Sequence, residues 1–457
     1  MTQLTSVGSN DKKLVSGITG ISVRGYKSLY EESSIEIRPL TILAGANSSG
    51  KSSIMQPLLL MKQTLEAPYD PGALLLNGPN IRFTLAEQFL SNFNAKKRTT
   101  ELFVAIEIDS QRIKSVFGKD YGEPINIIET IYTYEKQLLV ISSQMSQDEI
   151  YSLAQRTLEN HEKSNLINLL INEKEIIPDK IEARIQRERC FLNFDCKYNS
   201  GFQVVLYDTR PYINLFENHT RKLIHIPGIR GNPERTYPTT AIGSEFPGTF
   251  ENYVASVVND WQNTKDDRFR ELESTLKALG MTDKIDTRQV NDVQIELRVS
   301  RLPGSNDVSD MVSIADVGLG VSQVLLVLVA LLVAEPGQLV YLEEPETHLH
   351  PRAQAALAEI LVDAAKRGVR VVLETHSELL LIAIQSLVAE GKLSPDLVKL
   401  HWFTRREDGV TEIRSAELDD AGAFGDWPED FSNVSLKLES RYLDAAEARL
   451  WNRSHGN

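Results

Sequence analysis

The apolar positions of the first fifty residues recur at the short spacing of strands. Ile18-Thr19-Gly20-Ile21-Ser22-Val23 gives way to the alternating Ser34-Ile35-Glu36-Ile37, then to the apolar run Leu40-Thr41-Ile42-Leu43-Ala44. Alternation and short apolar runs bounded by Gly and Pro predict strands. Residues 52–65 read as a helix. The middle of the chain, residues 99–222, mixes both patterns: strand-like pieces at 102–108, 125–134 and 201–207 flank pieces that read as helical at 147–171 and 179–188. No heptad persists for three or four repeats, so no long coiled coil is expected. Residues 250–279 carry Trp261, Phe269, Leu272, Leu276 and Leu279 at mostly helical spacing, the stripe of core or interface packing.

The longest apolar run, 324–334, has eleven residues. A bilayer needs about 20, so a buried helix is predicted and no membrane span. A strand at 338–342, a helix after Pro351 and a strand at 369–374 follow, the alternation of an α/β sheet. Two further strands, 398–403 and 410–414, are joined by Arg405-Arg406-Glu407-Asp408-Gly409, whose Asp-Gly signals a hairpin. An amphipathic helix is expected at 435–451.

Composition narrows the function classes. With 457 residues, 42% hydrophobic and 25% charged, the chain can bury a large core and holds two to three domains. A net charge of −14 argues against broad non-specific binding to nucleic acid, which needs a basic face. The basic stretch with Lys180, Arg184, Arg187 and Arg189 is interrupted by Glu182 and Glu188, and reads as a solvated helix face. Two cysteines, Cys190 and Cys196, are too few for a disulfide framework or a four-ligand zinc site. A buried reduced pair and a cytoplasmic location are expected. The first sixteen residues lack the apolar core of a signal peptide.

Four segments carry chemistry. The loop Gly45-Ala46-Asn47-Ser48-Ser49-Gly50-Lys51-Ser52 lies between a strand and a helix, the setting a phosphate loop requires. Its glycines let successive N–H groups converge on one anion, and the helix start adds positive potential. The nucleotide-binding set is Asn47, Ser48, Ser49, Gly50, Lys51, Ser52 and Ser53. Lys51 reaches the β- and γ-phosphates, and the Ser52 hydroxyl ligates Mg²⁺. Second, the apolar strand Gln338-Leu339-Val340-Tyr341-Leu342 ends in Glu343-Glu344-Pro345-Glu346. Glu343 is expected to hold Mg²⁺ through its water shell, and Glu344 to orient and polarise the attacking water. Third, His376 in Glu374-Thr375-His376-Ser377 is placed to sense a γ-phosphate. Fourth, Gly318, Gly320, Ser322 and Gln323 open the apolar helix and form a second anion site. Its natural use is to cap the γ-phosphate of ATP bound to another copy of the chain.

Together these segments resemble the ABC-type ATPase head of the RecF, SMC and OLD lineage, and within it the compact prokaryotic ATPases paired with nucleases in anti-phage defence. Gly25-Tyr26-Lys27-Ser28-Leu29 is similar to that group's first hairpin. Glu343-Glu344-Pro345-Glu346-Thr347-His348-Leu349-His350-Pro351 resembles its second motif and D-loop. Ile226-Pro227-Gly228-Ile229-Arg230 with Pro233, Arg235 and Tyr237, and the box Asp426-Trp427-Pro428-Glu429-Asp430-Phe431, look like further hallmarks. The resemblance implies an α/β P-loop head with mixed antiparallel and parallel sheets and an inserted α+β region. It divides the chain into a tail (1–16), a first lobe (17–98), an insert (99–285), a second lobe (286–394) and a C-terminal part (395–457). It implies ATP and Mg²⁺, a Q-loop glutamine that is Gln88 or Gln56, and a homo-oligomer with ATP at its interfaces. Related OLD nucleases carry a nuclease domain after the histidine motif. Only 81 residues of this sequence follow His376, and no nuclease or zinc-ligand motif stands out. The expectation is a regulatory ATPase that controls a separate nuclease subunit, HNH type favoured as in Septu systems, with the PARIS type next. Nucleic acid would then be reached through the complex. The alternative is a RecF-like ATPase that clamps DNA directly.

Overall fold

The computed structural model describes residues 15–94, 96–120, 122–134, 137–161, 181–199, 203–302, 310–425 and 440–446. Strands β1 (Ile18–Arg24), β2 (Ser33–Glu36) and β3 (Leu40–Gly45) lead into helix α1 (Lys51–Glu66). A meander of β4 (Glu101–Ile108), β5 (Gln111–Gly118), β6 (Asn126–Tyr134) and β7 (Gln137–Ser142) follows. β1 pairs antiparallel with β4, so one six-stranded sheet runs β2-β1-β4-β5-β6-β7. The boundary expected at 98/99 therefore falls within a continuous sheet, because the pairing of β1 with β4 joins the first lobe to the insert.

Helix α2 (Gln147–His161) precedes a three-stranded sheet of β8 (Ile181–Glu188), β9 (Phe191–Asn199) and β10 (Gln203–Asp208). The helix expected over 179–188 is instead the strand β8. Ile181 and Ala183 are buried while Glu182 and Arg184 are exposed, which is a period of two, and β8 pairs residue for residue with β9. The basic run is spent locally: Arg184 pairs with Asp195 at 2.8 Å and Arg187 with Asp70 at 2.5 Å. Cys190 and Cys196 are free and buried, and burial pushes the Cys196 thiol up to about 11.

The chain continues through α3 (Arg210–Arg221), β11 (Ile224–Ile226), α4 (Glu251–Thr264) and α5 (Asp267–Ala278). The single helical stretch expected at 250–279 is broken, because Lys265 takes the left-handed conformation and Asp266 caps α5 through the Arg268 amide. Then come β12 (Ile285–Asn291), β13 (Gln294–Ser300), α6 (Leu319–Val333), β14 (Leu339–Glu343), α7 (Pro351–Lys366), β15 (Arg370–Glu374), α8 (Glu378–Ala389), β16 (Val398–Arg405) and β17 (Thr411–Ala416). A second six-stranded sheet has the order β11-β14-β15-β3-β16-β17. All its pairs are parallel except β16 with β17. The mixed α/β class expected from the sequence is the class observed. β11, from the expected insert, is an edge strand of this sheet.

β3 sits inside that sheet and is buried along its whole length. Leu40, Ile42 and Ala44 face a core built with α6, α7 and α8, while Leu43 faces a second core shared with α1 and the meander sheet. α6 is buried from Val321 to Leu332, as its apolar run predicts. The expected final helix is described only at 440–446, where it is helical. The box at 426–431 lies outside the described residues.

Buried His401 on β16 ties the two sheets: Nε2 donates to the Glu36 carbonyl and Nδ1 accepts from the Ser415 hydroxyl, both at 2.8 Å. Burial pushes its pKa down to about 4. An unfolded histidine titrates near 6.5, so between those values the unfolded chain binds more protons. Stability is expected to fall as pH drops through this window. Denaturant midpoints at pH 7 and pH 5 should therefore separate less for His401→Gln than for the wild type.

Candidate functional site

The turn from β3 into α1 can be made only by glycine at its two ends. Gly45 has φ +143°, and a Cβ there would lie 2.3 Å from the Phe403 carbonyl of β16. Gly50 has φ +106°, and its Cβ would meet the Thr411 hydroxyl at 2.5 Å and the Ser28 hydroxyl at 2.8 Å. Between them Ser48 takes φ +59°. The Thr411 hydroxyl holds the loop by donating to the Ser49 carbonyl at 2.7 Å. Lys51 lies back under the loop, donating to the Gly45 and Ala46 carbonyls at 3.0 and 2.9 Å. The Ser53 amide donates to the Gly50 carbonyl at 3.0 Å, and the start of α1 opens on a cavity of about 880 Å³ that residues 47–53 line.

The cavity suits a phosphate. Ser49 Oγ is buried with no hydrogen-bond partner among the described residues, and Ser49 lines the wall. Burial lowers the Lys51 pKa, and the Glu374 and Glu344 carboxylates oppose that. Both acids line the cavity, as does His376.

Glu343 and Glu374 end adjacent parallel strands and face each other across the β14–β15 pairing. Glu343 does not line the cavity. Its carboxylate accepts from His225 Nε2 at 3.0 Å and from the Gly228 amide at 3.1 Å, and His225 stacks on Tyr341. Burial works to raise its pKa, but the His225 and Gly228 bonds win and leave it lowered. Ser52 Oγ instead donates to Glu374 Oε2 at 2.9 Å, and Tyr341 OH donates to the other oxygen. Burial and the neighbouring Glu343 push the Glu374 carboxyl up to about 7. Ser52 thus bonds Glu374 directly, while Glu343, expected at the metal through its water shell, ends the strand one further from β3. A hydroxyl beside a carboxylate is nonetheless an oxygen donor set of the kind a hard divalent cation takes. No group of three or more His, Cys, Asp or Glu suited to a metal occurs among the described residues. Such a cation would rest on few protein ligands plus phosphate oxygens, the usual arrangement for Mg²⁺.

Glu344 has φ +45°, a strained backbone for a side-chain residue. It is held by its amide on the Glu374 carbonyl at 2.9 Å, and by Arg230, which donates to the carbonyls of Glu343 and Glu344 at 3.0 and 3.3 Å. Its carboxylate lies 3.5 Å from His376 Nε2. Burial and Lys51 lower the His376 pKa, favouring a neutral imidazole. Glu346, given no role from sequence, clamps this loop: Oε1 accepts from the Thr375 hydroxyl at 2.5 Å and from the His376 and Ser377 amides at 3.0 and 3.2 Å. Its position two residues after Glu344 was the signal available.

Gly318 caps α6, Ser322 Oγ donates to the Leu319 carbonyl at 3.0 Å, and Gln323 donates to the Gly231 carbonyl at 3.1 Å. Gly318, Gly320, Ser322 and Gln323 do not line the cavity. Gln88 and Gln56 both do. Each side-chain carbonyl is engaged: Gln88 by the Thr84 amide at 2.8 Å, Gln56 by Lys27 Nζ at 2.6 Å. The sequence alone also left Arg405 without a role; it lines the wall and donates to the Ser48 carbonyl at 3.2 Å.

Gly50→Ala tests the loop. At Gly72, φ +95° with nothing within 4 Å of a Cβ, alanine is expected to cost about 1–2 kcal/mol from backbone strain alone. Gly50→Ala should cost more in thermal denaturation, because it also collides with Thr411 and Ser28, and it should weaken nucleotide binding where Gly72→Ala does not.

The family described as AAA ATPase domain matches residues 17–381. No curated protein matches significantly. Among solved structures, an SMC head bound to the C-terminal winged-helix domain of ScpA is similar at 13% identity, with 89% of this chain and 99% of that chain covered and a TM-score of 0.49. A Pyrococcus furiosus SMC head with an extended coiled coil, bound to the ScpA C-terminal domain, gives 14%, 89%, 98% and 0.46. The Thermotoga maritima SMC head gives 12%, 87%, 98% and 0.38. Among the described residues no helix is long and apolar enough to cross a membrane.

Proposed function

The chain belongs to the AAA ATPase domain family, and from that premise we propose that it binds and slowly hydrolyses ATP in an ABC-type head, and that it pairs with a second copy through the nucleotide. The carrying observation is convergence: the loop 47–53, Glu344 and His376, far apart in sequence, line one cavity. Lys51 neutralises phosphate charge, and the loop amides orient the triphosphate. Glu344 orients and polarises the attacking water, and neutral His376 donates towards the γ-phosphate. Ser52 and the acids at the strand ends would hold Mg²⁺, which would supply further neutralisation of the triphosphate's charge.

The signature segment supports pairing. Gly318, Gly320, Ser322 and Gln323 stand apart from the chain's own cavity, and the proposal gives them the γ-phosphate of the second copy. Order and release of that pair would act as a switch. The regulated partner is a separate nuclease subunit of HNH type in anti-phage defence, a reading that rests on the motif resemblance. The net charge of −14 weighs against direct clamping of DNA by this chain. A metal-dependent nuclease activity in the purified chain alone would sink the partner reading.

Lys51→Ala should abolish binding of a fluorescent ATP analogue, whereas Glu344→Gln should retain binding, lower phosphate release by about 10²-fold or more, and accumulate an ATP-dependent dimer in light scattering. Wild-type hydrolysis by both variants would refute the assignment.

A further inference from the structure

We propose that Arg230, which does not line the cavity, is the positioning residue for Glu344 and sets the rate of hydrolysis through it. The inference rests on the proposed role of Glu344 in activating water. The need for such a residue comes from Glu344 itself. Its side chain is 44% exposed, and among the described residues its carboxylate pairs with His376 Nε2 alone, at 3.5 Å. Packing therefore does little to aim it, and its direction is inherited from the backbone. That backbone stands at φ +45°, where a residue with a Cβ persists only if its surroundings hold it.

Three groups hold it. The Glu344 amide donates to the Glu374 carbonyl at 2.9 Å, and the Glu344 carbonyl accepts from the Thr347 amide at 3.1 Å. Both are backbone bonds that most residue types could supply. Arg230 is the third, and the one side chain among the described residues. Its Nη2 donates to the Glu343 and Glu344 carbonyls at 3.0 and 3.3 Å. Those carbonyls belong to the peptide units on either side of the Glu344 Cα, so one guanidinium restrains both φ and ψ there. Arg230 is aimed in turn: Nε donates to the Pro227 carbonyl at 3.0 Å, and the next carbonyl, Gly231, accepts from Gln323 of α6 at 3.1 Å. Its described bonds all go to carbonyls, and Nη1 is buried with no partner among the described residues. A partly buried cation without a bonded acid is a poor way to gain stability. A planar fork suits two successive carbonyls, which a lysine's point charge does not.

The test is a double-mutant cycle on the full chain. A fluorescent ATP analogue reports binding, and single-turnover release of radiolabelled phosphate reports hydrolysis. Arg230→Met should bind the analogue within about 2-fold of the wild type, yet hydrolyse about 10–100-fold more slowly. In a Glu344→Gln background no water-activating carboxylate is left to aim. Adding Arg230→Met there should change the residual rate by less than about 2-fold. Arg230→Lys should fall between Arg230→Met and the wild type. Equal losses in both backgrounds, loss of analogue binding along with the rate, or a wild-type rate in Arg230→Met each overturn the inference. Should Arg230→Met fail to fold, the same cycle with Arg230→Lys decides by the same criteria. Failure of both to fold makes Arg230 a structural residue and overturns the inference too. A Glu344→Gln chain that hydrolyses at the wild-type rate instead overturns the proposed role of Glu344, and this inference with it.

Discussion

Two carboxylates side by side at the ends of parallel strands, Glu374 buried and Glu343 half-buried, are the constraint around which this molecule is arranged. A charge taken out of water costs several kcal/mol unless it is paired and fully hydrogen-bonded. Glu343 and Glu374 stand opposite each other in the β14–β15 register, so neither can be satisfied by the other. The surrounding residues resolve this asymmetrically. His225, stacked on Tyr341, and the Gly228 amide take Glu343, while Tyr341 and Ser52 take Glu374. The outcome is one acid held ionised off the cavity wall and one set in it.

The same solution fixes the neighbouring chemistry. Arg230 reaches from the segment after β11 to the carbonyls of Glu343 and Glu344, and holds Glu344 in its strained conformation. Further along that segment, Arg235 forms a two-pronged pair with Asp316, and the Gly231 carbonyl receives Gln323. A single stretch of chain is therefore bonded both to the acids and to the start of α6. Movement of the α6 start would be felt at the acids through side chains and backbone already in contact. From the opposite side, the β16–β17 hairpin holds the phosphate loop through Thr411 and Arg405.

Much of this was legible in the sequence. The strand, phosphate loop and helix could be read because a local pattern carries them: an apolar run, two glycines where side chains are excluded, then Lys51 and Ser52 at the helix start. The acid pair and His376 were legible for the same reason, each at the end of an apolar strand. The strand β8 reads as helical in sequence because Ile181 and Ile185 stand four apart among Glu, Ala, Arg and Gln, residues that favour helices, and a span so short does not separate the two periods.

The sequence by itself determined which residue types could do the chemistry, since phosphate cradling, water activation and cation binding each need particular groups at particular local spacings. Tertiary structure alone decided which of them meet. Strand order is a long-range property set by packing of both faces of the sheet, and it placed β15, not β14, beside β3. That put Glu374 against Ser52, gave Glu343 to His225 from 118 residues earlier in the chain, and brought Glu346 under the His376 loop. No local pattern encodes those meetings, because they depend on which strands become neighbours when the core closes.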